Sequence, residues 1–148
     1  MEKLNQLLTR YGKRAGSLHW IGERPDVRDG QLNRTILAKI GYPAPHTVFD
    51  DTMLTKVDWS SAARVLAFSG TKSLPYEFGQ APSVGEQKQA LDALCELDGT
   101  AQFFSNGFLA LSTTRTQQWN ALSDSTFDTG VLGYDASSAF IFWVEEED

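Results

Sequence analysis

Cysteine is almost absent. Cys95 is the only one in 148 residues, so the chain can form no internal disulfide and no multi-cysteine zinc site. Histidine is nearly as scarce, with only His19 and His46. Neither lies in a spacing that metal ligands use, such as two histidines four apart on a helix, and the carboxylates near His46 (Asp50, Asp51) form no such pattern with it. No apolar run approaches the roughly 18 residues that cross a bilayer. The opening Met1-Glu2-Lys3-Leu4-Asn5-Gln6 contains no apolar signal core, and the expected location is the cytoplasm. Gly70-Thr71-Lys72-Ser73 has a partial likeness to a phosphate loop. It lacks the upstream glycine, and Pro75 follows where a helix would have to start. No cofactor, metal or catalytic residue is assigned.

Positive charge is missing from one half of the chain. Residues 73–148 contain only Lys88 and Arg115 against twelve Asp and Glu, net −10, whereas residues 1–72 hold eleven Lys and Arg against seven acids, net +4. The whole chain carries −6 and has a pI near 4.8. Such a field attracts basic proteins and opposes nucleic acid and anionic lipid.

What is present fits a folded domain: 41% hydrophobic and 22% charged residues, and 11% aromatics, too many for a disordered chain. One domain over 1–148 is expected, with a weak candidate boundary in the loop at 70–82, where Gly70, Pro75, Gly79 and Pro82 lie. Leu4, Leu7, Leu8 and Tyr11 recur at helical spacing and predict an amphipathic helix over 2–14. A second helix is predicted over 31–40, on Leu32, Ile36, Leu37 and Ile40. Ser83-Val84-Gly85-Glu86 matches a capping box and opens a third, with Leu91, Leu94 and Cys95 placed on one face and the thiol expected to be buried and inert. A further short helix is expected over 114–122.

Strands are predicted at 17–21, 64–68, 130–134 and 139–144, with a brief extended piece at 47–49. Asn106-Gly107 between apolar runs predicts a type I′ hairpin joining 103–105 to 108–111. The last strand, Ala139-Phe140-Ile141-Phe142-Trp143-Val144, is apolar on both faces and so belongs in a sheet interior. The expected fold class is α+β, a mainly antiparallel sheet of five or six strands with three or four packed helices.

The expected role is that of a non-enzymatic, acidic protein-binding module, an inhibitor or immunity-type protein that neutralises a basic partner such as a toxin or nuclease. In size and charge the chain is like the small acidic immunity proteins that neutralise bacterial toxins, a likeness of composition that transfers no residues. The candidate partner-binding residues are Asp124, Asp128 and Asp135, assigned to loops, then Trp143 as an aromatic anchor, and the terminal acids Glu145, Glu146, Glu147 and Asp148. Two alternatives stand beside this reading: a small enzyme with its site in the loops 22–30 and 70–82, and a structural or assembly subunit.

Overall fold

The computed structural model describes residues 1–45, 47–74, 77, 80–106, 122, 123, 125 and 127–147. Among the described residues, four α-helices, α1 (Glu2–Tyr11), α2 (Leu32–Ala38), α3 (Trp59–Thr71) and α4 (Val84–Leu94), accompany five strands, β1 (Ser17–Glu23), β2 (Thr55–Val57), β3 (Gln102–Ser105), β4 (Phe127–Tyr134) and β5 (Ser138–Glu146). The strands form one sheet in the order β1-β5-β4-β3-β2, and every neighbouring pair is antiparallel. The α+β class and the antiparallel sheet are therefore as the sequence predicts.

β5 explains the two-sided apolar run. It lies between β1 and β4, and residues Ala139–Val144 are buried throughout. Its side chains alternate between two cores. Phe140, Phe142 and Val144 face α1, α3 and α4, together with Phe103 and Val131. Ala139, Ile141 and Trp143 face the opposite layer, built from α2 (Leu32, Ile36, Leu37) with Tyr42, Leu54 and Leu122.

Local signals position several elements directly. In α1 the residues Leu4, Leu7, Leu8 and Tyr11 are the buried stripe. At the start of α4 the Ser83 hydroxyl accepts from the Glu86 N–H at 3.1 Å, and the Glu86 carboxylate accepts from the Ser83 N–H at 2.8 Å, completing the capping box. Gly16, at φ +79°, turns the chain from α1 into β1 in a conformation that disfavours residues with a Cβ.

Four expectations fail. Residues 64–68 are not a strand but the middle of α3, which is N-capped by Asp58, whose side chain accepts from the Ser61 N–H at 2.7 Å. α3 lies between α4 and the sheet, so Val65, Leu66, Ala67 and Phe68 are all buried. A helix buried on nearly every side has no polar face, and its apolar run is indistinguishable from that of an interior strand. The extended piece at 47–49 forms no strand, and the short edge strand is β2, whose Thr-Lys-Val carries no pattern of its own.

The hairpin is also corrected. Phe103, Phe104 and Ser105 pair with β2 on one side and β4 on the other, which leaves them no free edge for residues 108–111. Asn106 lacks the positive φ that a type I′ turn requires, and Gly107 and 108–111 lie outside the described residues. Most of the predicted 114–122 helix, residues 114–121, also lies outside them.

The fourth correction is Cys95. It is exposed at the C-cap of α4, because the buried positions run Ala90, Ala93, Leu94 and Leu97, and Cys95 falls off that stripe. Native protein should therefore react rapidly and stoichiometrically with a thiol reagent. Cys95→Ser should shift stability by no more than about 0.5 kcal/mol; labelling that appears only on unfolding would contradict this placement.

Candidate functional site

The predicted partner residues separate into an interior group and a surface group. Asp128, Asp135 and Trp143 are buried, at 0%, 5% and 0% exposure, and none of them can serve as a contact on a partner surface. Asp128 is not in a loop but in β4. Asp135 does occupy a turn, the tight one between β4 and β5, but its carboxylate points inward. Trp143 sits in the middle of β5. Asp124 and Asp148 lie outside the described residues.

Asp128 is the most heavily hydrogen-bonded side chain of the described residues. Its Oδ1 accepts from the Asn106 amide at 2.8 Å and the Trp143 indole at 3.1 Å. Its Oδ2 accepts from the Leu122 N–H at 3.0 Å, the Ser123 N–H at 3.0 Å and the Ser123 hydroxyl at 2.9 Å. The Asn106 amide also donates to the Asp128 carbonyl oxygen at 3.1 Å. One carboxylate thus ties the end of β3, the 122–123 segment and β5 to β4. Burial pushes the Asp128 carboxyl above its ordinary value, and the donors from Trp143, Leu122 and Ser123 oppose that push. A carboxyl raised in the folded state adds stability below the ordinary aspartate range and gives it up as the pH rises through the raised value.

Tyr42 packs edge-on against the Trp143 ring, with centroids 6.1 Å apart. Burial, then the nearby Glu145 and Asp128 carboxylates, push its hydroxyl well above the ordinary tyrosine value.

Asp135 serves the β4–β5 turn. Its Oδ1 accepts from the Ser137 and Ser138 N–H groups at 2.8 Å each, and its Oδ2 from the Asp98 N–H at 2.9 Å. Burial works to raise this carboxyl, but the three backbone donors together pull it below its ordinary range. This is an Asx-type turn closure.

The surface acids occupy both ends of the sheet. At the end of β5, Glu146 pairs with Arg14 and accepts from the Ser73 hydroxyl at 3.3 Å. Part of the terminal acidic charge is therefore neutralised by Arg14, in the turn between α1 and β1. Glu145 is half-buried without an ion pair among the described residues, and Glu147 is exposed. At the opposite end, around the β4–β5 turn, Glu23, Asp26 and Asp98 are exposed and make no ion pair among the described residues. Arg24 lies among them, paired with Asp29 at 3.0 Å and donating to the Asp135 carbonyl at 2.9 Å. Sequence reasoning missed this second acidic end, because Glu23 and Asp26 belong to the basic half of the chain and join Asp98 only through the sheet.

Described parts of the two loops named for an enzyme site lie at opposite ends of β5. Residues 23–27 line an open depression of about 490 Å³ with Ala136 and Ser137, where β5 begins. Ser73 contacts Glu146, where β5 ends. β5 spans nine residues, about 27 Å when extended, so Ser73 and the 23–27 segment stand at opposite ends of it; residues 75, 76, 78 and 79 lie outside the described residues. His19 is exposed on β1 with its ring stacked on Phe142 at 6.5 Å, and His46 lies outside the described residues. Among the described residues no group of three or more His, Cys, Asp or Glu is placed to hold a metal, and no helix is long and apolar enough to cross a membrane.

No family model, curated protein or solved structure matches the chain. What the protein does must therefore be read from the geometry and charge of this molecule alone.

Proposed function

We propose that this chain is a non-enzymatic, acidic protein-binding module that neutralises a basic protein partner, such as a toxin or nuclease, by docking against it in the cytoplasm. The observation that carries the reading is the charge left at the surface. After Asp128 and Asp135 are taken inside, Glu145 at one end of the sheet and Glu23, Asp26 and Asp98 at the other remain at the surface, where a cationic partner would meet them. Complementary fields of this kind speed encounter and select basic partners over acidic ones.

The test is association kinetics with the partner recovered by pull-down, at low and high salt. One variant carries Glu145→Gln, Glu147→Gln and Asp148→Asn, and leaves Glu146 in place because its pairing with Arg14 supports the fold. A second carries Glu23→Gln and Asp26→Asn. Exposed rim charge acts on the on-rate and is screened over about 8 Å at physiological ionic strength, so at least one variant should slow association by roughly 3–10-fold at low salt and flatten its salt dependence. Melting temperature should stay nearly constant in both. An on-rate indifferent to salt and to both variants would reduce the acids to a solubility device.

A further inference from the structure

β1 is an edge strand of seven residues, Ser-Leu-His-Trp-Ile-Gly-Glu, with no proline, lysine or arginine in it. Long edges without such devices are templates for another strand unless something covers them. The other edge, β2, is three residues long and carries Lys56, so it is blunted in two of the usual ways.

The outward groups of β1 can be identified. Glu145 donates its N–H to the Gly16 carbonyl at 2.9 Å, and Arg24 donates its N–H to the Ser137 carbonyl at 2.9 Å. Both bonds keep the register that pairs Leu18 with Trp143, Trp20 with Ile141 and Gly22 with Ala139. In an antiparallel ladder the bonded pairs alternate, so the even-numbered residues of β1 spend their backbone groups on β5 and the odd-numbered ones point them away from the sheet. Ser17 returns its N–H to the Arg14 carbonyl at 3.2 Å. The N–H and C=O groups of His19, Ile21 and Glu23 have no partner among the described residues.

Beside this edge lies an open groove of about 520 Å³, lined by Met1, Glu2, Asn5, Ile21, Gly22 and Glu23 with Ser138. Met1 and Ile21 are the apolar side chains of its lining. Glu2 and Glu23 are its acidic lining, both exposed and neither in an ion pair among the described residues.

We infer that the outer edge of β1 docks an extended segment of the basic partner by strand addition. The partner strand exchanges backbone hydrogen bonds with His19, Ile21 and Glu23. It sets an apolar side chain on Ile21 and Met1 and a lysine or arginine between Glu2 and Glu23. In this recognition mode backbone bonds supply affinity, and alternate side chains in flanking pockets supply specificity. The inference rests on the proposed binding function and gives it a place and a mode.

The probe is a blocked octapeptide, Thr-Val-Thr-Lys-Thr-Val-Thr-Lys (the Lys–Val peptide), whose Val and Lys share one face of the strand as Ile21 and Glu23 do, with a counterpart carrying Glu in place of Lys (the Glu–Val peptide), followed by backbone amide NMR. The Lys–Val peptide should shift the amides of His19, Ile21 and Glu23 and bind about tenfold or more tightly than the Glu–Val peptide. His19→Pro removes one outward donor that the β5 ladder does not use, and proline is tolerated at such edge positions. It should weaken Lys–Val binding by about tenfold or more, while His19→Thr, which keeps the donor, should not. Circular dichroism confirms that the proline variant is folded. Glu23→Lys, which leaves every backbone group in place, should weaken Lys–Val binding by a similar factor and serves if the proline variant does not fold. Lys–Val binding with shifts elsewhere, and no response to His19→Pro or Glu23→Lys, overturns the edge while leaving the acidic binding module standing. Equal binding of the two peptides, or binding of neither, overturns the inference. So does concentration-dependent dimerisation of the protein that His19→Pro abolishes, because a second copy would then be the occupant. Failure of the binding function itself is read separately, from association kinetics that ignore salt and surface charge.

Discussion

Trp143→Ala should destabilise the protein by about 4 kcal/mol. The side chain is fully buried in the middle of β5, an interior strand, packed among Tyr42, Ile141 and the α2 layer. Truncation removes a large apolar contact, opens a cavity that the flanking strands cannot close without breaking their ladders, and deprives Asp128 of the indole donor. Domains of this size are stable by about 5–15 kcal/mol, so the variant should unfold at much lower urea or fail to accumulate. Trp143→Phe separates the two contributions. It keeps most of the ring volume and loses the donor, and should cost about 1–2 kcal/mol. Urea unfolding with an unchanged m-value is the measurement, and a loss under about 1 kcal/mol for the alanine variant would mean that the strand is not packed as described. The same burial removes Trp143 from the partner surface: its substitutions should act through the fold, not through an off-rate.

Asp128→Asn should cost about 3 kcal/mol at neutral pH, although it is nearly isosteric. The carboxylate offers two acceptor oxygens to five donors on Asn106, Trp143, Leu122 and Ser123. An asparagine supplies one acceptor and turns an N–H₂ group toward the remaining donors, leaving buried donors unpaired at about 1–3 kcal/mol each. Relief of the buried charge offsets part of this. Because Asp128 and Trp143 touch, their effects should not add. A double-mutant cycle of Asp128→Asn with Trp143→Phe should show a coupling of about 1 kcal/mol or more. A neutral Asp128→Asn, or simple additivity, would show that the network contributes nothing as a unit. A partner-binding role at the surface predicts the reverse pattern, unchanged stability with lost association.

Much of the architecture was legible in the sequence where the signal is local. α1 and α2 follow from apolar residues three and four apart, and α4 from a capping box whose two hydrogen bonds lie within one turn. β5 announces its interior place by being apolar on both faces, and the short polar link before it fits the hairpin with β4. These signals depend on neighbours a few residues away, so the chain by itself determined them, along with the antiparallel α+β class.

Tertiary structure alone decided the rest. α3 looked like a strand because burial against both α4 and the sheet removed its polar face, and only packing could show which period the apolar run obeys. Phe103–Ser105 find their partners at 55–57 and 131–133, far along the chain, and that pairing excludes the local hairpin that Asn106-Gly107 suggested. Asp128 reads as a surface acid in the sequence. It becomes an interior bracket only because donors from residues 106, 122, 123 and 143 converge on it, and an acid survives burial when such donors satisfy it. Net charge was fixed by composition. Which acids face a partner was decided by long-range pairing, which buries Asp128, sets Glu146 against Arg14, and brings Glu23 and Asp26 from the basic half beside Asp98 from the acidic half.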